Sequence, residues 1–128
     1  MAHATIEWTD NLEGELHLQP LMELIASEMR NFGDVFPVGG IRVRAIRLSD
    51  YVIADGACDR DAFINIDFKI GAGRDPAMIR DFFDGMFEKI KQHLAPLFET
   101  RPLALSAYVG EAHGWKHNTI HNRLKAGR

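Results

Sequence analysis

The stretch "DAFINIDFKIGAGRDP", residues 61–76, decides the fold. Apolar residues occupy its even positions from 64 to 70 and polar residues the odd positions between them, the pattern of a strand with one buried face. The sequence "GAGRDP" then turns the chain, with Asp75 suited to cap a helix and Pro76 suited to its first position. The stretch therefore predicts a strand that leads directly into a helix, as in a β-α-β unit.

The residues downstream complete that unit. Apolar residues spaced by three and four predict a long helix from Pro76 to about Leu97, and we expect Pro96 to kink or shorten its end. The segment "LALSAYVG", residues 103–110, is then predicted to be the second strand of the unit.

The first half of the chain repeats this order. "HATIEWT", residues 3–9, alternates as a strand, an apolar stripe predicts a helix from about Leu18 to Phe32, and "IRVRAIRLSDYVIAD", residues 41–55, predicts the next strand. Two β-α-β units with right-handed crossovers make a four-stranded sheet with two helices on one face. We therefore predict an α+β fold, a two-layer sandwich formed by a single domain of residues 1–128.

Composition excludes several classes of function. The net charge of −3 gives no general field for nucleic acid or an anionic membrane, so an anionic ligand must be bound locally. No apolar run is long enough to span a bilayer, and the start of the sequence lacks a secretory pattern. The single Cys58 forms no internal disulfide and suits a reducing compartment. We expect a cytoplasmic protein without nucleic-acid or membrane partners.

Two helices cover only one face of such a sheet, so the other face needs a partner. A homo-oligomer whose sheets face one another satisfies this need. The C-terminal segment "EAHGWKHNTIHNRLKAGR", residues 111–128, places Trp115 and Ile120 in polar company. We expect this segment to pack on a neighbouring subunit.

Several segments, in this order, resemble the 5-carboxymethyl-2-hydroxymuconate isomerases of the tautomerase superfamily. They are "HATIEWTDN" at residues 3–11, "FPVGGIRVR" at 36–44, "ADG" at 54–56, "KIGAGR" at 69–74 and "LALS" at 103–106, with a looser match at "KHNTIHNRL". The resemblance implies a homotrimer whose sheets surround a central axis. It also implies a cofactor-free isomerase of aromatic-compound degradation, which moves a double bond in a small, carboxylate-rich dienol. The family's acid-base group is an amino-terminal proline, exposed when the initiator Met is removed.

This chain has Ala2 at the position of that proline. A buried α-amino group has a pKa below about 8 and can act as a base, so we predict that the Ala2 amine is catalytic if Met1 is removed. If Met1 stays, the nearest amine is that of Met1. One alternative is a related tautomerase with a changed substrate, and another is a trimeric anion-binding homologue with weak or lost catalysis.

Three arginines are the candidate substrate-binding residues. Arg42 and Arg44 lie two apart on a strand and share one face, while Arg74 lies in a Gly-rich turn before a helix, where an anion is also favoured. A guanidinium binds a carboxylate through two hydrogen bonds. A solvated strand face and an exposed turn are the alternatives for these residues. His3 could tune the neighbouring amine, and the pair His117 and His121 lacks a third ligand of matching spacing, so no metal site is predicted.

Overall fold

A computed structural model describes residues 1–127 of the chain. The expected α+β two-layer sandwich is confirmed, with a third, short helix near the C-terminus. In chain order its elements are β1 (Ala2–Thr9), α1 (Leu18–Arg30), β2 (Ile41–Leu48), β3 (Ala62–Gly71), α2 (Pro76–Thr100), β4 (Leu103–Ala112) and α3 (Ile120–Lys125).

The four strands form one mixed sheet in the order β2-β1-β3-β4. Each β-α-β unit contributes a parallel pair, and the two units join through the antiparallel central pair β1 and β3. The starts of β1 and β2 therefore lie beside the end of β3, at one end of the strands, where Ala2 lies between Ile41 and Ile70. The strands β2 and β4 form the two lateral edges.

The core lies between the two long helices and one face of the sheet. Alternate residues of β1 are buried on this face, and a fully buried Ile or Leu side chain contributes about 1.5–3 kcal/mol to folding. Leu12 and Phe36 are fully buried outside the helices and strands named above, and further fully buried members come from both helices and β3: Leu21, Ile25, Met29, Ile64, Ile66, Ile70, Met86, Ile90 and Leu94. Because Ala2 is also fully buried, the first strand is anchored to the core from its first residue. His3, the next residue, therefore points to the opposite, helix-free face.

The α2 helix begins as predicted and extends further than predicted. The Asp75 carboxylate accepts a hydrogen bond from the Ala77 N–H at 3.2 Å, and Pro76 is the first helical residue. The expectation that Pro96 shortens the helix was wrong, because the helix continues to Thr100. Pro96 lacks an N–H but keeps its carbonyl, which accepts a hydrogen bond from the Thr100 hydroxyl at 3.2 Å.

The strand β2 is shorter than predicted. It ends at Leu48, and its expected extension to residue 55 was wrong. Leu48 pairs with Thr9, the last residue of β1. Because β2 is an edge strand that pairs with β1, it ends where β1 ends. The residues that follow form loop contacts, including a hydrogen bond of 2.8 Å from the Tyr51 hydroxyl to the Asp10 carboxylate. No helix within residues 1–127 has the length and apolarity required to cross a bilayer.

Candidate active site

The start of the chain lies in a cavity at the end of the sheet where β1 and β2 begin and β3 ends. The cavity has a volume of about 520 Å³. Met1, His3 and Arg42 line one side, Gly71 contributes the end of β3, and residues 112–116 form the remaining wall. The topology thus brings together three segments that are far apart in sequence, around the first amine.

The amine of Met1 is a weaker base than an ordinary terminal amine. Partial burial lowers its pKa below the usual 8.0, and the positive charges of Lys116, Arg74 and Arg42 lower it further. The Met1 carbonyl accepts a hydrogen bond of 3.4 Å from the Gly71 N–H, which ties the first residue to the end of β3. An amine with a lowered pKa is neutral over a wider range near pH 7, as a general base must be.

Ala2 carries no free amine in this structure, because Met1 precedes it. Its nitrogen is an amide within β1, and its methyl group is fully buried in the core. The nitrogen of residue 2 nevertheless lies at the same end of the strands as the cavity, since Ala2 is paired with both Ile41 and Ile70.

Arg42 and Arg44 share the helix-free face of the sheet, and the structure separates their surroundings. Arg42 lines the cavity beside Met1, and its Nη1 lies 2.9 Å from His3 Nε2. Arg44 lies opposite Thr5, one pair of residues further along the strands. It lines a neighbouring trough of about 430 Å³ on the same face, together with His3, Asp67, Lys69 and Tyr108. The cavity at the first amine therefore includes Arg42, and Arg44 lies next to it.

Arg74 is close enough to the Met1 amine to lower its pKa, yet most of its hydrogen-bonding capacity is used within the fold. Its Nε and Nη2 donate to the Val35 carbonyl at 3.3 and 2.8 Å, and its Nη1 donates to the Gly71 carbonyl at 2.6 Å. The guanidinium also lies over the buried ring of Phe36, with Cζ 5.2 Å from the ring centroid. Arg74 thus joins the end of β3 to the loop after α1, and two of the five guanidinium N–H groups remain for a ligand.

Sequence reasoning missed the contribution of the C-terminal segment to this cavity. Lys116 and Trp115 line its outer wall, and among the charged groups Lys116 has the largest effect on the pKa of the Met1 amine. The Trp115 side chain is 99% exposed within the single chain. Residues 113–116 belong to no helix or strand, so no periodicity could have indicated their position.

The C-terminal segment is held in place by contacts with the turn Val38–Gly40. The Asn118 side-chain amide donates to the Gly39 carbonyl at 2.7 Å, and the His121 ring packs directly on Gly39. These contacts place His121 in a packing role. Within residues 1–127, no group of three or more His, Cys, Asp or Glu side chains is arranged to hold a metal ion.

His3 lies among cations on the helix-free face. Burial lowers the pKa of His3 below its usual 6.5, and the charges of Arg42, Arg44 and Lys69 and of the first amine lower it further. The ring is therefore neutral at pH 7. The site thus combines an amine of lowered pKa, a neutral imidazole and several cations, an arrangement suited to binding an anion and moving a proton.

Comparisons with known proteins find a matching family model and several similar proteins. A family model described as 5-carboxymethyl-2-hydroxymuconate isomerase matches residues 2–124. The chain is 35% identical, over 128 residues, to the 5-carboxymethyl-2-hydroxymuconate Delta-isomerase of Escherichia coli, covering 98% of this chain and 100% of that protein. The solved structure of a 5-carboxymethyl-2-hydroxymuconate isomerase from Deinococcus radiodurans R1 is similar with a TM-score of 0.91 and 40% identity, covering 96% of this chain and 93% of that chain. The macrophage migration inhibitory factor of Trichinella spiralis shares the fold at a TM-score of 0.53 and 15% identity, covering 89% and 96% of the two chains.

Proposed function

The chain belongs to the 5-carboxymethyl-2-hydroxymuconate isomerase family, as its sequence predicted, and from this premise we propose how it acts on such a substrate. It is an intramolecular isomerase that moves a double bond in 5-carboxymethyl-2-hydroxymuconate, and it does so without a cofactor. The first amine of the chain is the acid-base group, and the surrounding cations hold the carboxylates. The observation that carries this proposal is that Met1, Arg42 and Lys116 line one cavity, with Arg74 close enough to affect the Met1 amine as well.

The reaction needs one group that first takes a proton and then returns it. The neutral amine takes a proton from the enol oxygen or from an allylic carbon of the dienol. The resulting ammonium returns that proton elsewhere on the conjugated chain, while the double bond moves and no electrons leave the substrate. A lowered amine pKa suits both steps, since it keeps the base neutral and makes the ammonium a better acid.

The substrate carries three carboxylates, and the cations in and beside the cavity can bind them separately. Arg42 lines the cavity and can grip one carboxylate through two parallel hydrogen bonds. Lys116 supplies a second positive charge from the C-terminal segment, and Arg74 contributes charge from the end of β3. Arg44, in the adjoining trough, is placed to meet a carboxylate that extends beyond the cavity.

The catalytic amine that we propose is that of Ala2, after removal of Met1. Removal would expose a primary amine at the same end of the strands, and the buried methyl group of Ala2 would anchor this amine. It would also free the Gly71 N–H, which now donates to the Met1 carbonyl, to donate to a substrate oxygen. A primary amine lacks the ring that fixes a proline nitrogen, so we expect the Ala2→Pro variant to isomerise faster.

The test combines the mass of the intact protein with an ultraviolet assay of 5-carboxymethyl-2-hydroxymuconate. We expect a processed terminus. We also expect kcat/KM to rise with pH as the Ala2 amine loses its proton. Because the cations that lower the pKa of the Met1 amine would also lie near the Ala2 amine, the rise should level off at a pH below that of an ordinary amine. Extending the chain by Gly-Ser ahead of its first residue should abolish turnover, while the same extension at the C-terminus should leave turnover unchanged. Full turnover by the amino-terminally extended chain would refute the proposal, and substrate binding without turnover in the wild type would favour an anion-binding homologue.

We propose two further properties, a homotrimeric assembly and a cytoplasmic location. The homotrimer is supported by the two lateral edge strands, whose outer backbone groups are unpaired in the single described chain. A cytoplasmic location is supported by the exposed, free thiol of Cys58, which suits a reducing compartment.

A further inference from the structure

His3 and Arg42 are direct neighbours across the parallel strands β1 and β2. Arg42 Nη1 lies 2.9 Å from His3 Nε2, and both side chains line the cavity at the first amine. A guanidinium can only donate hydrogen bonds, so His3 Nε2 must be the acceptor. The ring proton of His3 is therefore on Nδ1, and the contact requires a neutral imidazole.

The groups around His3 keep it neutral. Arg42 and Arg44 face it from β2, Lys69 faces it from β3, and the first amine lies beside it. Asp67 and Glu111 line the adjoining trough and supply the nearby negative charge. The excess of positive charge, together with partial burial, disfavours a second proton on the ring.

We propose that His3 is a positioning residue, whose Nε2 atom fixes the Arg42 guanidinium at the mouth of the cavity so that it meets a substrate carboxylate in one orientation. This inference rests on the proposed function. Arg42 is an exposed side chain, and an unrestrained arginine loses rotamer entropy when a ligand fixes it. Arg44, by contrast, lies opposite Thr5, whose short side chain offers less reach.

Two substitutions of His3 separate this role from a structural one. His3→Leu removes the acceptor, and we expect KM to rise about tenfold with kcat changed less than about twofold, because a hydrogen bond to a charged group is lost. His3→Gln keeps an acceptor at a similar distance from the backbone and should restore KM to within about twofold of the wild type. Equal damage from Gln and Leu would overturn the inference.

A double-mutant cycle tests whether His3 acts through Arg42. In an Arg42→Ala background, His3→Leu should have no further effect on KM, since the guanidinium that it positions is absent. Independent, multiplicative effects of the two substitutions would overturn the inference. His93→Leu, on α2 and away from the cavity, is the matched control for loss of an imidazole and should leave KM unchanged.

A binding measurement keeps the inference distinct from the proposed function. Calorimetric titration measures the Kd of muconate, a dicarboxylate diene that lacks the enol. The double-mutant cycle in Kd should show the same coupling between His3 and Arg42 as the cycle in KM. Absence of wild-type turnover would refute the proposed function alone, provided that the Kd cycle still shows coupling. Turnover with no coupling in either KM or Kd would refute the role of His3 alone.

Discussion

Lys116 is the residue through which the C-terminal segment acts on the first amine. Its charge lowers the pKa of the Met1 amine, and its side chain lines the cavity. Lys116 lowers the pKa of the Met1 amine, and the Ala2 amine proposed as the base would lie at the same end of the strands. In Lys116→Ala we therefore expect the pKa of the catalytic amine to rise, so the rise of kcat/KM with pH should move to higher pH. We also expect KM to increase several-fold, because one carboxylate loses a charged partner. Initial rates measured between about pH 5 and 9 check both effects, with the unperturbed amine pKa inside that range.

Lys125 offers a matched control within the same segment. It lies in α3, is exposed, and does not line the cavity. Lys125→Ala removes the same charge and should leave the pH profile and KM unchanged. If Lys116→Ala gives the wild-type profile, the C-terminal segment does not influence the base.

At the scale of single residues, sequence reasoning could find the arginines but not their tasks. Alternation within "IRVR" placed Arg42 and Arg44 on one face, and the Gly-rich turn singled out Arg74. The hydrogen bonds of Arg74 to the Val35 and Gly71 carbonyls depend on how two distant loops meet. Neither those bonds nor the position of Lys116 leaves a local pattern, so both required the structure.

At the scale of elements, prediction succeeded where the structure depends on neighbours in sequence. The alternation of β3 and the Asp75 cap of α2 are local features, and both were confirmed. The end of β2 depends instead on where its partner β1 stops, and the alternating residues beyond Leu48 gave no sign of it. The short α3 depends in the same way on the turn at residues 38–40, on which it packs.

That turn leads to a prediction about the C-terminal segment. A Cβ atom at Gly39 would lie 2.7 Å from His121 Cε1 and 3.1 Å from Cγ, too close for the ring to remain in place. Gly39→Ala should therefore displace α3 and release the segment that carries Lys116. We expect faster tryptic cleavage at Lys116 and Lys125, followed by mass spectrometry, and a higher KM.

Gly85→Ala is the control for adding a methyl group. Gly85 lies within α2, and a Cβ atom there meets nothing within 4 Å. Alanine in a helix interior should stabilise the fold by about 0.5–1 kcal/mol, without changing the rate of cleavage in the C-terminal segment. Equal cleavage rates in Gly39→Ala and the wild type would show that α3 does not depend on this contact.

At the scale of the whole molecule, the single chain leaves surfaces that call for a partner. The strands β2 and β4 have unpaired outer backbone groups in the described chain, and such edges promote association unless they are covered. Beside β4 an apolar groove of about 300 Å³ separates the strand from α2, and its lining includes Phe83, Phe87 and Val109. Tyr108, on the same strand, is 63% exposed. These features are the physical argument for an assembly of identical chains.

The proposed homotrimer predicts a measurable mass and a variant that lowers it. Light scattering should give about three times the 14.4 kDa mass of the chain. Val109→Glu places a carboxylate beside the apolar groove at the β4 edge, where burial by a neighbouring subunit would be costly, so the mass should fall towards that of one chain. Val52→Glu makes the same change in the exposed loop after β2 and should leave the mass unchanged. A single-chain mass for the wild type at all concentrations would contradict the trimer, and it would leave the cavity at the first amine to bind its substrate within one subunit.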